Sequence, residues 1–364
     1  MNKIPITEIG PSEVIQLFFP VSNFHAIVVV DNTALGPSIG GVRVSPDVTV
    51  EEVKRLARTM TMKNSVAGLP HGGGKAGIIA DPRDPKKEHY FRIFSQAIKD
   101  LQEYIPGPDM GSNEECMAWI YDEIGRATAL PEEIGGLPLD KLGATGFGLA
   151  ECAEIACPYA KIELKGAKVA IQGFGSVGKA AVKFLSEKGA IVVAASDTRG
   201  SICNPDGLDI KELMAVKEEK GSVIHYKTGT VKKCEELFLT PCDILIPAAT
   251  ADVISKDNVD GVKAKLILQG ANIPATLDAE EIMHKKGILS IPDFIANAGG
   301  VIMAAMEYAK KSEKEAFDAI SERIKKNTKL ILEKTFNEKT LPRQAAEAIA
   351  KERVLKAMAY KRVS

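Results

Sequence analysis

Short apolar runs and amphipathic stretches alternate along most of the chain. Residues 25–31 (HAIVVVD) form a continuous apolar run of the length of a buried strand. Over 49–68, Val53, Leu56, Ala57 and Met60 recur at helical spacing. Thr49 suits the cap of that helix, Glu51 and Glu52 its first turn and Gly68 its end. A second helix is predicted over 84–105, with Phe91, Phe94, Ala97 and Leu101 on one side. PGPDMGS (106–112) then reads as a tight loop. Glycine-rich 134–148 marks a boundary, after which the pattern becomes strand, helix, strand. Residues 167–197 make one such unit, and 243–249 and 264–272 supply further buried strands. This pattern predicts a parallel sheet with crossover helices. A charged helical pattern through 302–333 is expected to return the chain to the first domain.

With 364 residues, two domains are favoured over one. A formal net charge of −1 gives no basic field for nucleic acid and no polybasic tail for a membrane surface. No apolar run reaches the length of a membrane span, and residues 1–14 carry no apolar signal region. The six cysteines form no C-x-x-C pair, so neither a metal site nor a disulfide framework is expected. Together these features predict a cytoplasmic protein with no nucleic-acid or membrane partner.

Two glycine-rich stretches carry candidate chemistry. Gly173, Gly175 and Gly178 form G-x-G-x-x-G between a predicted strand and helix, and Asp197 lies at the end of the next strand. In that context the motif predicts dinucleotide binding, with the helix N-terminus at Ser176 and Val177 offering amides to the pyrophosphate. Asp197 would accept hydrogen bonds from the adenosine ribose and favours NAD, while Arg199 offers a partner to a 2′-phosphate, leaving NADP as an alternative. The second stretch, LPHGGGKAG (69–77), fails as a P-loop: Leu69 stands where the first glycine belongs, and Ala76 replaces the magnesium-binding hydroxyl. Its glycines are instead expected to clear space around Lys75. A lysine that is desolvated near another cation can serve as a general base. Lys63, 12 residues earlier, and Asp109 complete the constellation.

LPHGGGKAGIIADP, with MKN ahead of it, resembles the signature of the Glu/Leu/Phe/Val dehydrogenases. DNTALGPSIGGVR (31–43), PDMGS (108–112), GATGFG (143–148), QGFGSVG (172–178), QGANIPAT (269–276) and IANAGGV (295–301) resemble further blocks in family order. The resemblance implies an α/β protein of two domains. A substrate-binding and oligomerisation domain (1–142) would precede a Rossmann-type NAD-binding domain (143–309), with the cleft between them and helices from about 310 to 364 returning to the first. It implies reversible oxidative deamination of an L-amino acid to its 2-oxo acid and ammonia. Lys75 would be the general base, Asp109 the proton relay and Lys63 the ligand of the α-carboxylate. Thr145, Ala249, Asn272 and Asn297 match positions that touch cofactor or substrate, and Gly73 and Val301 match substrate contacts. Members are homo-oligomers, commonly hexamers or octamers.

By the same resemblance, glutamate-specific members place a lysine where this chain has Ile39 and a hydroxyl where it has Ala304. An unpaired carboxylate buried against these two would cost several kcal/mol, whereas an aliphatic group would gain roughly 1.5–3 kcal/mol there. The expected substrate is therefore of leucine, valine or isoleucine type. Glutamate is the alternative, because SDTRGSICNPDGLD (196–209) and KLGATGFG resemble the glutamate branch, and phenylalanine stays open if the pocket is deep. Outside the family, a shikimate- or malic-type oxidoreductase or a non-catalytic dinucleotide sensor would share the domain order.

Overall fold

The computed structural model describes residues 8–361. The chain divides into two compact units, one running to Leu139 and taking in Val301–Ala316 and the residues from Glu347 on, the other formed by Asp140–Gly300 and Phe317–Ala346.

In the first unit, β1 (Glu13–Phe19), β2 (Phe24–Asn32), β3 (Ser38–Val44), β4 (Gly72–Ile78) and β5 (Tyr104–Pro108) form a sheet in the order β1-β2-β4-β3-β5. β3 runs parallel to both β4 and β5, and β2 is antiparallel to β1 and β4. Helix α1 (Val50–Val66) starts as expected, with the Thr49 side chain accepting from the Glu52 amide. It covers one sheet face through Val53 and Ala57, packed with Ile27, Val29 and Val48. α2 (Lys87–Ala97) and α3 (Glu114–Ile124) cover the other, where Phe91, Phe94, Met117 and Ile120 meet Val28, Val42, Ala76 and Ile78.

Two expectations change here. The second helix ends at Ala97, not 105, because Tyr104–Pro108 joins the sheet as its edge strand; only Asp109–Ser112 remains a turn. The glycine stretch forms the central strand β4. Its glycines are filled around rather than cleared. A Cβ on Gly73 would collide with the Thr61 backbone of α1, one on Gly72 with the Asn32 carbonyl, and one on Gly74 would come within 2.8 Å of both Ser38 Oγ and the Tyr104 ring. The three glycines let α1 and the neighbouring strands approach β4 at backbone distance.

In the second unit, α4 (Leu139–Leu142, whose first residue still belongs to the first unit) and α5 (Ala144–Tyr159) lead into β6 (Lys168–Gln172), α6 (Ser176–Glu187), β7 (Ile191–Asp197), β8 (Gly200–Cys203), α7 (Ile210–Lys220) and β9 (Thr230–Lys232). β10 (Ile244–Pro247), β11 (Leu266–Leu268), α8 (Leu277–Lys285), β12 (Leu289–Ile291) and α9 (Asp293–Ala296) follow. The sheet order is β12-β11-β10-β6-β7-β8-β9. Its first five strands are parallel, and β8 and β9 turn back antiparallel at one edge. Chain order reverses at β6, which lies between β10 and β7, and the carboxyl ends of strands at such a switch point form the binding crevice of open α/β sheets.

The C-terminal segment is α10 (Gly299–Tyr308), α11 (Glu313–Glu338) and α12 (Pro342–Met358). It does not return wholly to the first unit, as 317–346 belong to the second. Lys325 of α11 reaches Glu151 and Glu154 of α5, and Phe317 packs edge-on to Phe147. Arg343 of α12 is buried among Glu280, Asp293 and Gln269. Further along α12, the Ala350 carbonyl accepts from Ser65, and Arg353 donates to the Ser65 and Val66 carbonyls of the first unit. Buried polar partners thus set the assignment, because leaving them unpaired would be costly.

Gly73→Ala should force α1 away from β4 and cost on the order of 3 kcal/mol, read as an earlier denaturant midpoint at unchanged slope.

Candidate active site

β3, β4 and the turn after β5 carry the candidate groups of the first unit. Ile39 sits opposite Gly73 in β4 and Ile105 in β5. With a side-chain period of two, Gly73 and Lys75 share this face with Ile39 and Gly41 of β3. The Lys75 ammonium lies 2.6 Å from Asp109 Oδ2, just beyond the end of β5, and the pair is nearly buried, with side-chain exposures of 9% and 17%. The contact is a close ion pair, and Oδ2 is sealed from solvent. Arg43 Nε stands 3.5 Å from the same oxygen. Asp109 Oδ1 accepts from the Met110 amide, and the Asp109 amide donates to Ser112 Oγ, which donates to the Val42 carbonyl. Burial by itself would raise the Asp109 carboxyl, but the charges of Lys75 and Arg43 and the Met110 amide outweigh it and hold it below the usual carboxylate range. Lys75 therefore faces an anion, and a second cation, Arg43, also approaches Asp109.

The strand between the partners must be bare at one position. A Cβ on Gly41 would stand 2.6 Å from the Pro108 carbonyl, 2.7 Å from Asp109 Cβ and 3.2 Å from Lys75 Nζ. Sequence reasoning missed Gly41 and Arg43, although both lie in the quoted GGVR. Lys63 is buried in the last turn of α1. Ile39 and Ala304 are buried, at 4% and 6% exposure, and Val301 is half-buried in α10. Lys63, Lys75, Asp109, Ile39, Gly73, Val301 and Ala304 thus all lie in the first unit.

Thr145, Gly173, Gly175, Ser176, Val177, Gly178, Asp197, Ala249, Asn272 and Asn297 all lie in the second unit. Gly173 follows β6 with φ +96°, and a Cβ there would press on Ala249 just after β10. A Cβ on Gly178 would collide with the Gly173 carbonyl, whereas one on Gly175 would meet nothing within 4 Å. Gly175 begins α6 with no side-chain cap, so the first amides are left to a ligand. Asn297 donates to Asn272 Oδ1 at 2.9 Å, and Gly299 packs against Ala144 and Thr145. The motif residues, Thr145, Ala249, Asn272 and Asn297 thus gather at the carboxyl ends of β6, β10 and β11, and this cradle fits a dinucleotide.

Asp197 departs from the expectation. Its Oδ1 accepts from the Arg199 amide and Ser222 Oγ, and its Oδ2 from Lys217 Nζ and the Val223 amide. Four donors use its lone pairs. Burial pushes its pKa up, but Lys217 and these donors bring it below the usual carboxylate range. The carboxylate fastens the turn after α7. Arg199 beside it is exposed.

Family models match both parts of the chain: the Glu/Leu/Phe/Val dehydrogenase dimerisation domain over residues 11–126, and Glutamate/Leucine/Phenylalanine/Valine dehydrogenase over 135–362. The chain belongs to the Glu/Leu/Phe/Val dehydrogenase family. It is an oxidoreductase of CH–NH2 donors that works with NAD(P). It is 41% identical to the glutamate dehydrogenase of Aeropyrum pernix over 354 residues, 90% of this chain and 84% of that one. It is 40% identical to the NADP-specific glutamate dehydrogenase of Saccharolobus shibatae over 351 residues, 90% and 82% of the two chains. The structure of the hetero-hexameric glutamate dehydrogenase of Thermus thermophilus in a leucine-bound form matches with a TM-score of 0.86 at 28% identity, covering 97% of this chain and 91% of that one.

With Asp197 committed to protein donors, this family member should bind NADPH within about tenfold of NADH, a gap of 1.4 kcal/mol. Arg199→Ala should weaken NADPH by roughly fivefold and leave NADH unchanged, within the range of an exposed ion pair. Fluorescence titration of both cofactors measures this; equal effects on the two would remove Arg199 from 2′-phosphate recognition.

Proposed function

We propose that the chain catalyses reversible NAD(P)-dependent oxidative deamination of L-glutamate to its 2-oxo acid and ammonia. The observation that carries the reaction is the buried Lys75–Asp109 pair across Gly41, with Lys63 on the same unit. Bound NAD(P) supplies the acceptor for the hydride that leaves Cα. The remaining steps fall to the chain's own groups. Lys63 holds the α-carboxylate as a point charge and fixes the direction of Cα. Once the amine has become an iminium, water must add to the same carbon. Lys75, with its proton passed on, takes a proton from that water. Asp109, 2.6 Å away, exchanges protons with Lys75 and delivers one to the departing ammonia. Arg43 steadies the carboxylate form between turnovers.

For the side chain, the relatives' names support glutamate rather than the leucine-type substrate read from the pocket residues. A second reading, an aliphatic amino acid, is favoured by Ile39 and Ala304, both buried and apolar. Self-association is proposed on the dimerisation-domain match and on the hexameric state named for the Thermus enzyme. No helix of the described residues is long and apolar enough to cross a membrane.

Lys75→Ala should lower kcat by about a thousandfold or more, the scale of general acid–base catalysis, while the fold is kept by circular dichroism; intact turnover would remove Lys75 from the mechanism. In a panel of L-amino acids, glutamate should give the highest kcat/KM. Ile39→Lys should raise the glutamate-to-leucine ratio by about tenfold, since an added buried partner for a carboxylate contributes strongly; an unchanged ratio would place the side-chain pocket elsewhere.

A further inference from the structure

The glutamate reading leaves the substrate's distal carboxylate without a partner at either position where the resemblance expects one. His71 touches the segment that leads to one and the helix that carries the other. It directly precedes β4, so the period of two puts His71, Gly73 and Lys75 in one row, with His71 and Lys75 each about 7 Å along the strand from Gly73. Ile39 lies opposite the middle member of that row, and the Pro37 carbonyl, two residues before Ile39, is 3.1 Å from His71 Nδ1. From the other side, the Tyr308 ring of α10 packs edge-on to the imidazole, with centroids 5.8 Å apart. Tyr308 is four residues beyond Ala304, on the same face of that helix. His71 therefore sits between the strand that carries Ile39 and the helix that carries Ala304.

The imidazole is 5% exposed. A carbonyl only accepts, so Nδ1 carries a proton and donates to Pro37. Nε2 makes no hydrogen bond among the described residues. A buried ring with one nitrogen fixed and the other unused is a ready donor to an anion once Nε2 is protonated. The polar groups that face it are the Pro37 carbonyl from the segment before β3 and the Tyr308 phenol from α10, and no charged side chain contributes to its field.

We propose that His71 recognises the distal carboxylate of the substrate, as an imidazolium formed on binding. This rests on the glutamate reading above. In the free protein, burial lowers the imidazole pKa below its ordinary value, against a smaller opposing effect of the Pro37 carbonyl, so the ring is neutral at pH 7. A bound carboxylate raises that pKa, and binding takes up a proton at Nε2. Affinity for the dicarboxylate is then greatest at low pH. It falls as pH rises from the free-protein value to that of the complex, by up to tenfold per unit.

The test measures kcat/KM for glutamate and for leucine from about pH 6 to 8.5 in the wild type and in His71→Leu. The glutamate-to-leucine ratio of the wild type should fall with rising pH. In His71→Leu that ratio should drop about a hundredfold and lose its pH dependence, while retained leucine turnover shows the fold is intact. Calorimetry on the wild type in two buffers of different ionisation heat gives a second readout that needs no variant. Uptake of close to one proton is expected when 2-oxoglutarate binds near pH 7.5, and none for 4-methyl-2-oxopentanoate. Full glutamate turnover in His71→Leu, or no proton uptake, overturns the role of His71 and leaves the glutamate reading standing. A wild type that turns over leucine but not glutamate overturns the glutamate reading, and this proposal with it.

Discussion

The ion pair between Lys75 and Asp109 constrains everything around it in the first unit. A buried ammonium and carboxylate stay charged only where each supplies the other's lost solvation. Holding them 2.6 Å apart, from β4 and from the turn after β5, requires the intervening strand β3 to present no side chain, which Gly41 satisfies. Gly73 in turn lets α1 lie directly on β4. Asp109 Oδ2, sealed from solvent, meets both Lys75 and Arg43 there.

The second unit answers a different requirement. A dinucleotide brings two phosphates, which need unsatisfied amides and no competing side chain. The turn after β6 provides this at Gly173, Gly175 and Gly178, while Ala249, Asn272, Asn297 and Thr145 gather from neighbouring elements. Asp197 occupies the place of a ribose acceptor but is committed to Lys217, Ser222 and two backbone amides.

Substrate choice rests on few groups. Identity of about 40% over nine-tenths of the chain fixes family and chemistry, yet the side chain of the substrate meets only a handful of residues. In the proposed pocket Ile39 and Ala304 would offer a carboxylate no partner, and His71, which touches Pro37 and Tyr308, would supply the polar group. A position that looked like part of a glycine-rich signature thereby becomes the centre of the specificity question.

The order of motifs, the two-domain α/β class and the dinucleotide turn were legible in the sequence, and of the candidate residues Lys75 and Asp109 meet. Each is written in local spacing: apolar runs, capping residues, glycines at fixed offsets. The tertiary structure decided what local spacing cannot encode. LPHGGGKAG reads as a loop because three glycines are poor strand formers. It is the centre of a sheet because α1, β2, β3 and Tyr104 pack against it at distances that only glycine permits. Tyr104–Pro108 looked like the end of a helix and a turn, and became a strand because β3 offered it unpaired backbone groups. The ties of Asp197 to the turn after α7 were not legible either. The helical pattern after residue 302 was clear, but its division between units followed from the buried partners of Lys325 and Arg343. In each case the deciding contacts join residues far apart in the chain, where no periodicity reaches.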